Sequence, residues 1–244
     1  MYIREDIIKI INECDRVLNL INATLGEEYY YQSLPLCVID SVWSLGVKYE
    51  SVKQVVSRYC KYFKLKRIRE NRYSIPPKED QESISNFFYK MSILGVAKFT
   101  DEIFGKRQRT STKNGILKTE AVFQFATVLK KYKVDYFQDL NKIVSNTDFE
   151  ADIKKIPGQS SGISLKYFLM LAGEEDLIKP DRMIVNFLYD ITGKNITAYE
   201  AQLILVHVCN GLKCKYPHLT PRLLDHIIWN YKRMHNTISS TRRV

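Results

Sequence analysis

Two short segments of the sequence carry residue types that can act on a phosphate-bearing substrate. The first, residues 156–162, reads Ile-Pro-Gly-Gln-Ser-Ser-Gly and forms a glycine-bracketed turn between two helix-forming segments. Backbone N–H groups exposed in such a turn, at the start of a helix, can hold a phosphate. The second, 179–182, reads Lys-Pro-Asp-Arg and places Asp181 at the start of the next helix, where the helix dipole favours an ionised carboxylate. Together the two segments indicate chemistry on a nucleic acid.

Each segment also has a simpler interpretation. A Pro-Gly turn is typical of any connection between two helices, and an aspartate near a helix start is commonly just a cap. The surroundings favour more than this, because a short helix over 148–155 precedes the turn and an apolar helix over 163–172 follows it. Asp181 comes 23 residues after Gly158, which is enough chain to pass through the second helix and return to the same end of the structure.

Positive charge is concentrated in three separate stretches of a chain whose formal net charge is +10. Between residues 48 and 72 there are nine Lys/Arg against two Glu, and between 105 and 118 there are five with no acid. Between 207 and 244 there are seven Lys/Arg against Asp225. Three such clusters around one core indicate a polyanionic partner, although solvated helix faces are the alternative.

Helical periodicity dominates the elements that must position these residues. It predicts an all-α protein of about ten helices, including an amphipathic helix over 4–25 and another helix over 136–145. A capping box is predicted at Thr197, and no alternating strand pattern persists. With 244 residues, the chain can form one large domain or two lobes.

The cysteines and the apolar runs exclude several classes of protein. The five cysteines are odd in number and scattered, so we expect buried free thiols, no disulfide framework and no structural metal. No apolar run is long enough to span a bilayer, and the charged start does not fit a secretion signal. We therefore expect no membrane partner and a cytoplasmic protein.

Residues 134–231 resemble the helix-hairpin-helix DNA glycosylase superfamily, the endonuclease III-like enzymes of base excision repair. Its motif is Leu-Pro-Gly-x-Gly, an apolar helix, then an aspartate at a helix start; 156–158 and Asp181 take those places. The run Pro-Arg-Leu-Leu-Asp-His at 221–226 also looks like members of the superfamily.

The resemblance implies a two-lobed helical fold. One lobe, 26–132, is expected to face DNA and to form part of the base pocket. The other, 1–25 with 133–244, is expected to carry the hairpin and the catalytic aspartate.

Three departures from the superfamily pattern narrow the expected activity. Bifunctional members carry a Schiff-base lysine where this chain has Gly162, so water rather than an amine is the expected attacker. Many relatives bind an iron–sulfur cluster through four C-terminal cysteines, but only Cys209 and Cys214 lie in that part, so no cofactor is expected. Ser160 replaces the usual second glycine of the hairpin.

The resemblance thus implies a monofunctional DNA N-glycosylase that flips a damaged or modified base out of double-stranded DNA and leaves an abasic site. Two kinds of base are expected as substrates. One is an alkylated or oxidised base, which would indicate a role in DNA repair, and the other is a bulky modified cytosine of phage DNA, which would indicate antiviral defence. We expect a monomer at the bacterial nucleoid. A non-catalytic helix-hairpin-helix DNA-binding protein is the main alternative, and a protein-interaction domain is a third possibility.

The resemblance assigns a role to each candidate residue. Asp181 is the catalytic residue, which stabilises the cationic sugar and orients or deprotonates water. The expected DNA-binding residues are Lys155, Gly158, Ser160, Ser161, Gly162, Lys179 and Arg182, with Arg107, Arg109 and Lys113 from the 105–115 loop. The expected base-pocket or wedge residues are Trp43, Tyr49 and Lys48, beside the 45–47 corner; for Trp43 a plain core position is the alternative.

Overall fold

The computed structural model describes residues 4–241, with side chains described as far as residue 235. Within this range the chain forms ten α-helices, one π-helical segment at Phe99–Phe104 and three short 3-10 helices. It forms no strand there, only isolated bridges such as Tyr31–Ile68. The predicted all-α fold of about ten helices is confirmed.

The ten helices are numbered in the order in which they occur along the chain. Their bounds are α1 Arg4–Val17, α2 Leu34–Trp43, α3 Tyr49–Phe63, α4 Ile84–Lys98, α5 Lys118–Lys131, α6 Thr147–Lys154, α7 Ile163–Ala172, α8 Arg182–Thr192, α9 Ala198–Leu212 and α10 Pro221–Thr241. None of the helices in the described part of the chain is long and apolar enough to cross a membrane.

Two predicted helices differ in the structure. The helix predicted over 4–25 ends at Val17, and the following residues enter the core as a loop in which Asn22 has a positive φ of 57°. The helix predicted over 136–145 is a 3-10 helix, Phe137–Lys142. The spacing of apolar residues does not distinguish a continuing α-helix from a buried loop or a 3-10 helix, because buried residues of a loop continue the same apolar pattern.

The chain divides into two compact units. We call residues 26–172 the hairpin unit, because it contains the 156–162 turn, and residues 1–25 with 173–244 the aspartate unit, because it contains Asp181. The resemblance implied a boundary after residue 132 instead. Residues 133–172 lie with 26–132 because α7 packs on α2 and α6 packs on α5.

The hairpin unit is built around α2. All ten residues of α2 are buried, and the helix packs against α3, α5 and α7. Aromatic rings from α3, α4 and the π-helical segment form a cluster beside it: Tyr59, Phe63, Phe87, Phe99 and Phe104. Edge-on contacts such as those of Tyr59 with Phe87 and of Phe99 with Phe104 are an arrangement that aromatic pairs prefer.

The aspartate unit is a bundle of α1, α8, α9 and α10. α1 packs on α8 and α9, and α10 packs on the same two helices. Its fully buried apolar residues include Ile10, Leu188, Leu205 and Leu224, one from each helix. This bundle fixes the start of α8, where Asp181 lies.

The five cysteines are free thiols. Four of them, Cys14, Cys37, Cys60 and Cys209, are buried as predicted, whereas Cys214 is exposed.

Candidate functional site

The predicted hairpin is present between α6 and α7. The N–H of Gln159 donates to the carbonyl of Ile156 at 2.9 Å, and the N–H of Gly162 donates to the carbonyl of Gln159 at 3.0 Å. Gly158 and Gly162 have φ values of 85° and 70°, a backbone region that glycine occupies without strain. Ser160 has no positive φ, so the hairpin accepts a serine in place of the second glycine.

The turn presents free donors at the start of α7. Gly158, Ser160 and Ser161 are exposed, and their backbone N–H groups have no acceptor among residues 4–241. Gln159 is buried instead and accepts a hydrogen bond from the hydroxyl of Ser164, which ties the turn to α7. An anion can therefore bind the free N–H groups without breaking an existing bond.

The structure brings the 105–117 loop against this turn. A Cβ atom added to Gly158 would lie 2.4 Å from the Cβ of Thr110. Within the loop, the N–H of Thr110 donates to the carbonyl of Ile116 at 2.9 Å, and the N–H of Ile116 returns to the Thr110 hydroxyl at 3.2 Å. Two elements predicted separately to contact DNA thus lie side by side. No local pattern in the sequence indicated this contact.

Several cations of the hairpin and of the 105–117 loop have protein partners. Lys154 pairs with Glu150 at 2.5 Å. Lys155 pairs with Asp152 at 2.7 Å, and Lys131 reaches the other oxygen of Asp152 at 2.5 Å. These hydrogen bonds, the one from Lys131 above all, hold the pKa of Asp152 well below its usual range.

The three predicted DNA-binding cations of the 105–117 loop differ in their hydrogen-bond partners. Arg107 forms a two-pronged pair with Asp101, at 2.7 and 2.6 Å. Arg109 donates to the carbonyl of Gly115 at 2.6 Å. Lys113 is exposed, and its side chain forms no ion pair or hydrogen bond within the described range, so it is the loop cation most available to a phosphate.

Trp43 does not fit the predicted wedge or base pocket. Its side chain is completely buried, edge-on to Phe104 with ring centroids 5.7 Å apart. Tyr49 is half-buried and stacks on Tyr29 with centroids 5.9 Å apart, while burial raises the pKa of its hydroxyl. Lys48 is exposed and precedes α3. Of these three residues, Lys48 alone is exposed.

Lys118 is not one of the exposed cations of the basic cluster at 105–118, contrary to the prediction. Its side chain is buried, and its ammonium donates to the carbonyls of Trp43 at 2.8 Å and Leu45 at 2.6 Å. It therefore satisfies carbonyl groups at the end of α2 rather than contacting a polyanion. The bond to Leu45 also fixes the 45–47 corner, in which Gly46 is exposed.

Asp181 is the N-cap of α8, as the sequence predicted. Its Oδ1 atom accepts from the N–H of Met183 at 2.8 Å and from the N–H of Ile184 at 3.4 Å. The side chain is half-buried, and Oδ2 accepts no hydrogen bond from the part of the chain that the structure describes. One oxygen is thus fixed by the helix and the other can act on a ligand or on water.

The segment leading to Asp181 is fastened to α9 and α10. The carboxylate of Glu175 accepts from the Thr220 hydroxyl at 2.8 Å and from the Arg222 guanidinium at 2.7 Å. Gln202 of α9 donates to the carbonyl of Asp176 and accepts from the N–H of Ile178, both at 3.1 Å. The flanking cations predicted to bind DNA differ in exposure: Arg182 is exposed, and Lys179 is half-buried.

Asp225 is a buried carboxyl group beside this segment. It accepts a hydrogen bond from the backbone N–H of Lys179 at 3.0 Å. Burial, and then the negative charge of Asp181, raises the pKa of Asp225 well above its ordinary value. The sequence included this residue in the resemblance at 221–226, but its spacing assigned it no role.

No cluster of three or more His, Cys, Asp or Glu within the described ranges is arranged to hold a metal ion.

A comparison with protein families gives one match. The family described as "Domain of unknown function (DUF8548)" matches residues 8–233. The chain belongs to this family. The DUF8548 match includes the hairpin, Asp181 and Asp225, and it extends across parts of all ten helices. No curated protein and no solved structure matches the chain.

Proposed function

We propose that this DUF8548 protein is a monofunctional DNA N-glycosylase that excises a damaged or modified base from double-stranded DNA. The observation that carries the proposal is the hydrogen bonding of the two carboxylate oxygens of Asp181. The start of α8 binds one of its oxygens, and the other has no partner in the described residues. This is the arrangement that a carboxylate needs in order to stay fixed while it acts on a reacting group.

In the proposed reaction the bond between the base and sugar C1′ breaks, and the base leaves with the bonding electrons. The positive charge that develops on the sugar is stabilised by the free oxygen of Asp181. A water molecule then forms the new bond to C1′, and its proton passes to Asp181 or to solvent. The products are the free base, which takes up a proton, and an abasic site.

The hairpin unit supports binding to the DNA backbone. Its 156–162 turn offers the free N–H groups of Gly158, Ser160 and Ser161. The 105–117 loop, whose Thr110 lies against the turn, adds the exposed Lys113. Residues 26–172 contain 24 Lys/Arg and 16 Asp/Glu, a formal charge of +8. Phosphate contacts of this kind predict binding that weakens steeply as salt concentration rises.

The absence of an amine at position 162 supports hydrolysis without strand cleavage. Gly162 lies where bifunctional members of the superfamily carry their lysine. Trapping with borohydride tests this point, because the reagent reduces an imine between an amine and the sugar to a stable cross-link. A cross-link would point first to Lys166 of α7, whose pKa is lowered by burial.

The test of the proposal is release of bases from a panel of DNAs. The panel contains duplexes with alkylated and oxidised bases and phage DNA with bulky modified cytosines. We expect the wild-type protein, and not Asp181→Asn, to produce abasic sites in one of them. Tight, salt-sensitive DNA binding without base release from any DNA would support a non-catalytic helix-hairpin-helix protein instead.

A further inference from the structure

The aspartate unit has a buried carboxyl group that the proposed reaction does not use. Asp225 lies in the second turn of α10 and is 7% exposed. Its Oδ1 atom accepts the backbone N–H of Lys179, two residues before Asp181. The intervening Pro180 is buried, and the N–H of Asp181 donates to the carbonyl of Lys179 at 2.6 Å, so the segment is tightly bent.

We propose that Asp225 is the positioning residue for Asp181, because its carboxyl oxygen holds the bent 179–181 segment through the backbone N–H of Lys179. This inference rests on the proposed function. In this role Asp225 acts on Asp181 through the backbone of Lys179. It thereby sets where the free oxygen of Asp181 points.

The charges around Asp225 explain why the neutral form suits this position. Asp181 acts on it from the start of α8 and disfavours a second negative charge, whereas Lys179 opposes this effect only in part. On α10 itself Arg222 is already paired with Glu175, and α9 contributes the uncharged Gln202 to the same segment. Burial and the negative charge of Asp181 therefore both raise the pKa of Asp225 and favour its protonated form.

Two substitutions at Asp225 separate the hydrogen bond from the charge. Asp225→Asn keeps an oxygen acceptor and is neutral, whereas Asp225→Ala removes the acceptor. We expect exchange of the Lys179 amide hydrogen to be about as slow in Asp225→Asn as in wild type and at least about tenfold faster in Asp225→Ala. Fast exchange in the asparagine variant, or slow exchange in the alanine variant, would overturn the proposal.

The pH dependence of stability is a second measurement that needs no DNA. Because the pKa of Asp225 is raised in the folded state, its stabilising contribution is present at low pH and is lost as pH rises through that pKa. The melting temperature of Asp225→Asn, relative to wild type, should therefore increase as pH rises from 4. A difference that stays constant or falls with pH would show that Asp225 is charged in the folded protein.

The rate of base release tests the positioning role of Asp225 within the proposed glycosylase function, and its outcomes distinguish a failure of the one from a failure of the other. On a DNA from which wild type releases a base, we expect Asp225→Ala to lower the rate by about tenfold to a hundredfold, through misplacement of Asp181, and Asp225→Asn to restore most of it. An unaffected rate in Asp225→Ala would refute the positioning role. If wild type releases no base from any DNA, the proposed function fails, while amide exchange and melting still decide whether Asp225 holds the segment.

Discussion

The hairpin unit and the aspartate unit differ in how they present charge. The hairpin unit, with 24 Lys/Arg and 16 Asp/Glu, carries a formal charge of +8, whereas the aspartate unit, with 13 and 11, carries +2. The hairpin unit offers backbone donors and exposed cations on its surface. In the aspartate unit, by contrast, side chains of α9 and α10 form hydrogen bonds with the short segment 175–179, which precedes Asp181.

This difference indicates a division of labour in the proposed activity. Attraction of a phosphate backbone depends on many weak, screened contacts, so it tolerates loosely held cations. A carboxylate that acts on one atom must be held within a fraction of an ångström, so it needs a rigid support. Substitutions in the two units should therefore change different measurements.

The largest effect is expected at Asp181. Asp181→Asn should lower the rate of base release by about 10² to 10⁴-fold, because the amide cannot stabilise the cationic sugar or accept a proton. Stability and DNA affinity should change little, since asparagine is as good an N-cap as aspartate. Base release, thermal melting and DNA binding measure the three quantities. Base release retained in this variant would remove Asp181 from the catalytic role.

Glycine substitutions compare the two units directly. Gly158→Ala should destabilise the protein by about 2–4 kcal/mol, because its positive φ is unfavourable and its Cβ would lie 2.4 Å from Thr110. Gly193→Ala is the matched control, since Gly193 has a φ of 66° and no neighbour within 4 Å, so only the backbone cost of about 1 kcal/mol applies. Denaturant unfolding measures both.

A second substitution tests whether the loop contact is the cause. In the Gly158→Ala background, Thr110→Gly should recover part of the lost stability. If Gly158→Ala and Gly193→Ala lowered the free energy of unfolding equally, the 105–117 loop would not be in close contact with the hairpin. DNA affinity should fall only in the position 158 variant.

A buried and an exposed lysine provide the next comparison. Lys118→Met should cost about 1–3 kcal/mol, because the carbonyls of Trp43 and Leu45 lose their donor in a buried site. Lys194→Met, which breaks the partly exposed pair with Asp6, serves as the counterpart in the aspartate unit. We expect a smaller loss there, and the reverse order would contradict the structural role given to Lys118.

The smallest effect is expected at Asp152, and it should be a gain. Asp152→Asn frees Lys131 and Lys155 from their shared partner, so DNA affinity should rise by about twofold to fivefold at low salt and the salt dependence should steepen. Asp190→Asn, which frees Lys232 in the aspartate unit, is the control and should leave affinity unchanged. An affinity that falls in Asp152→Asn would show that these lysines do not face the phosphates.

Local signals in the sequence were sufficient for several features. Proline, glycine and apolar spacing predicted the hairpin between α6 and α7, and the N-cap preference of aspartate predicted the start of α8. The capping box at Thr197 is also confirmed. These features depend on contacts within about four residues, which a sequence shows directly.

Other features depend on partners far along the chain. Lys118 was counted among exposed cations, but the carbonyls that it binds lie more than 70 residues earlier. The contact of Thr110 with Gly158 and the bond from Lys179 to Asp225 also join distant segments. Residue type and spacing carry no information about such pairs.

The sequence by itself determined the helical class, the hairpin and the position of the candidate carboxylate, because each follows from periodicity or from capping within one or two turns. The tertiary structure decided which cations are free, which are paired and which are buried. It also decided that a second carboxyl group lies near Asp181, because only packing removes water from Asp225 and brings it close to the negative charge of Asp181.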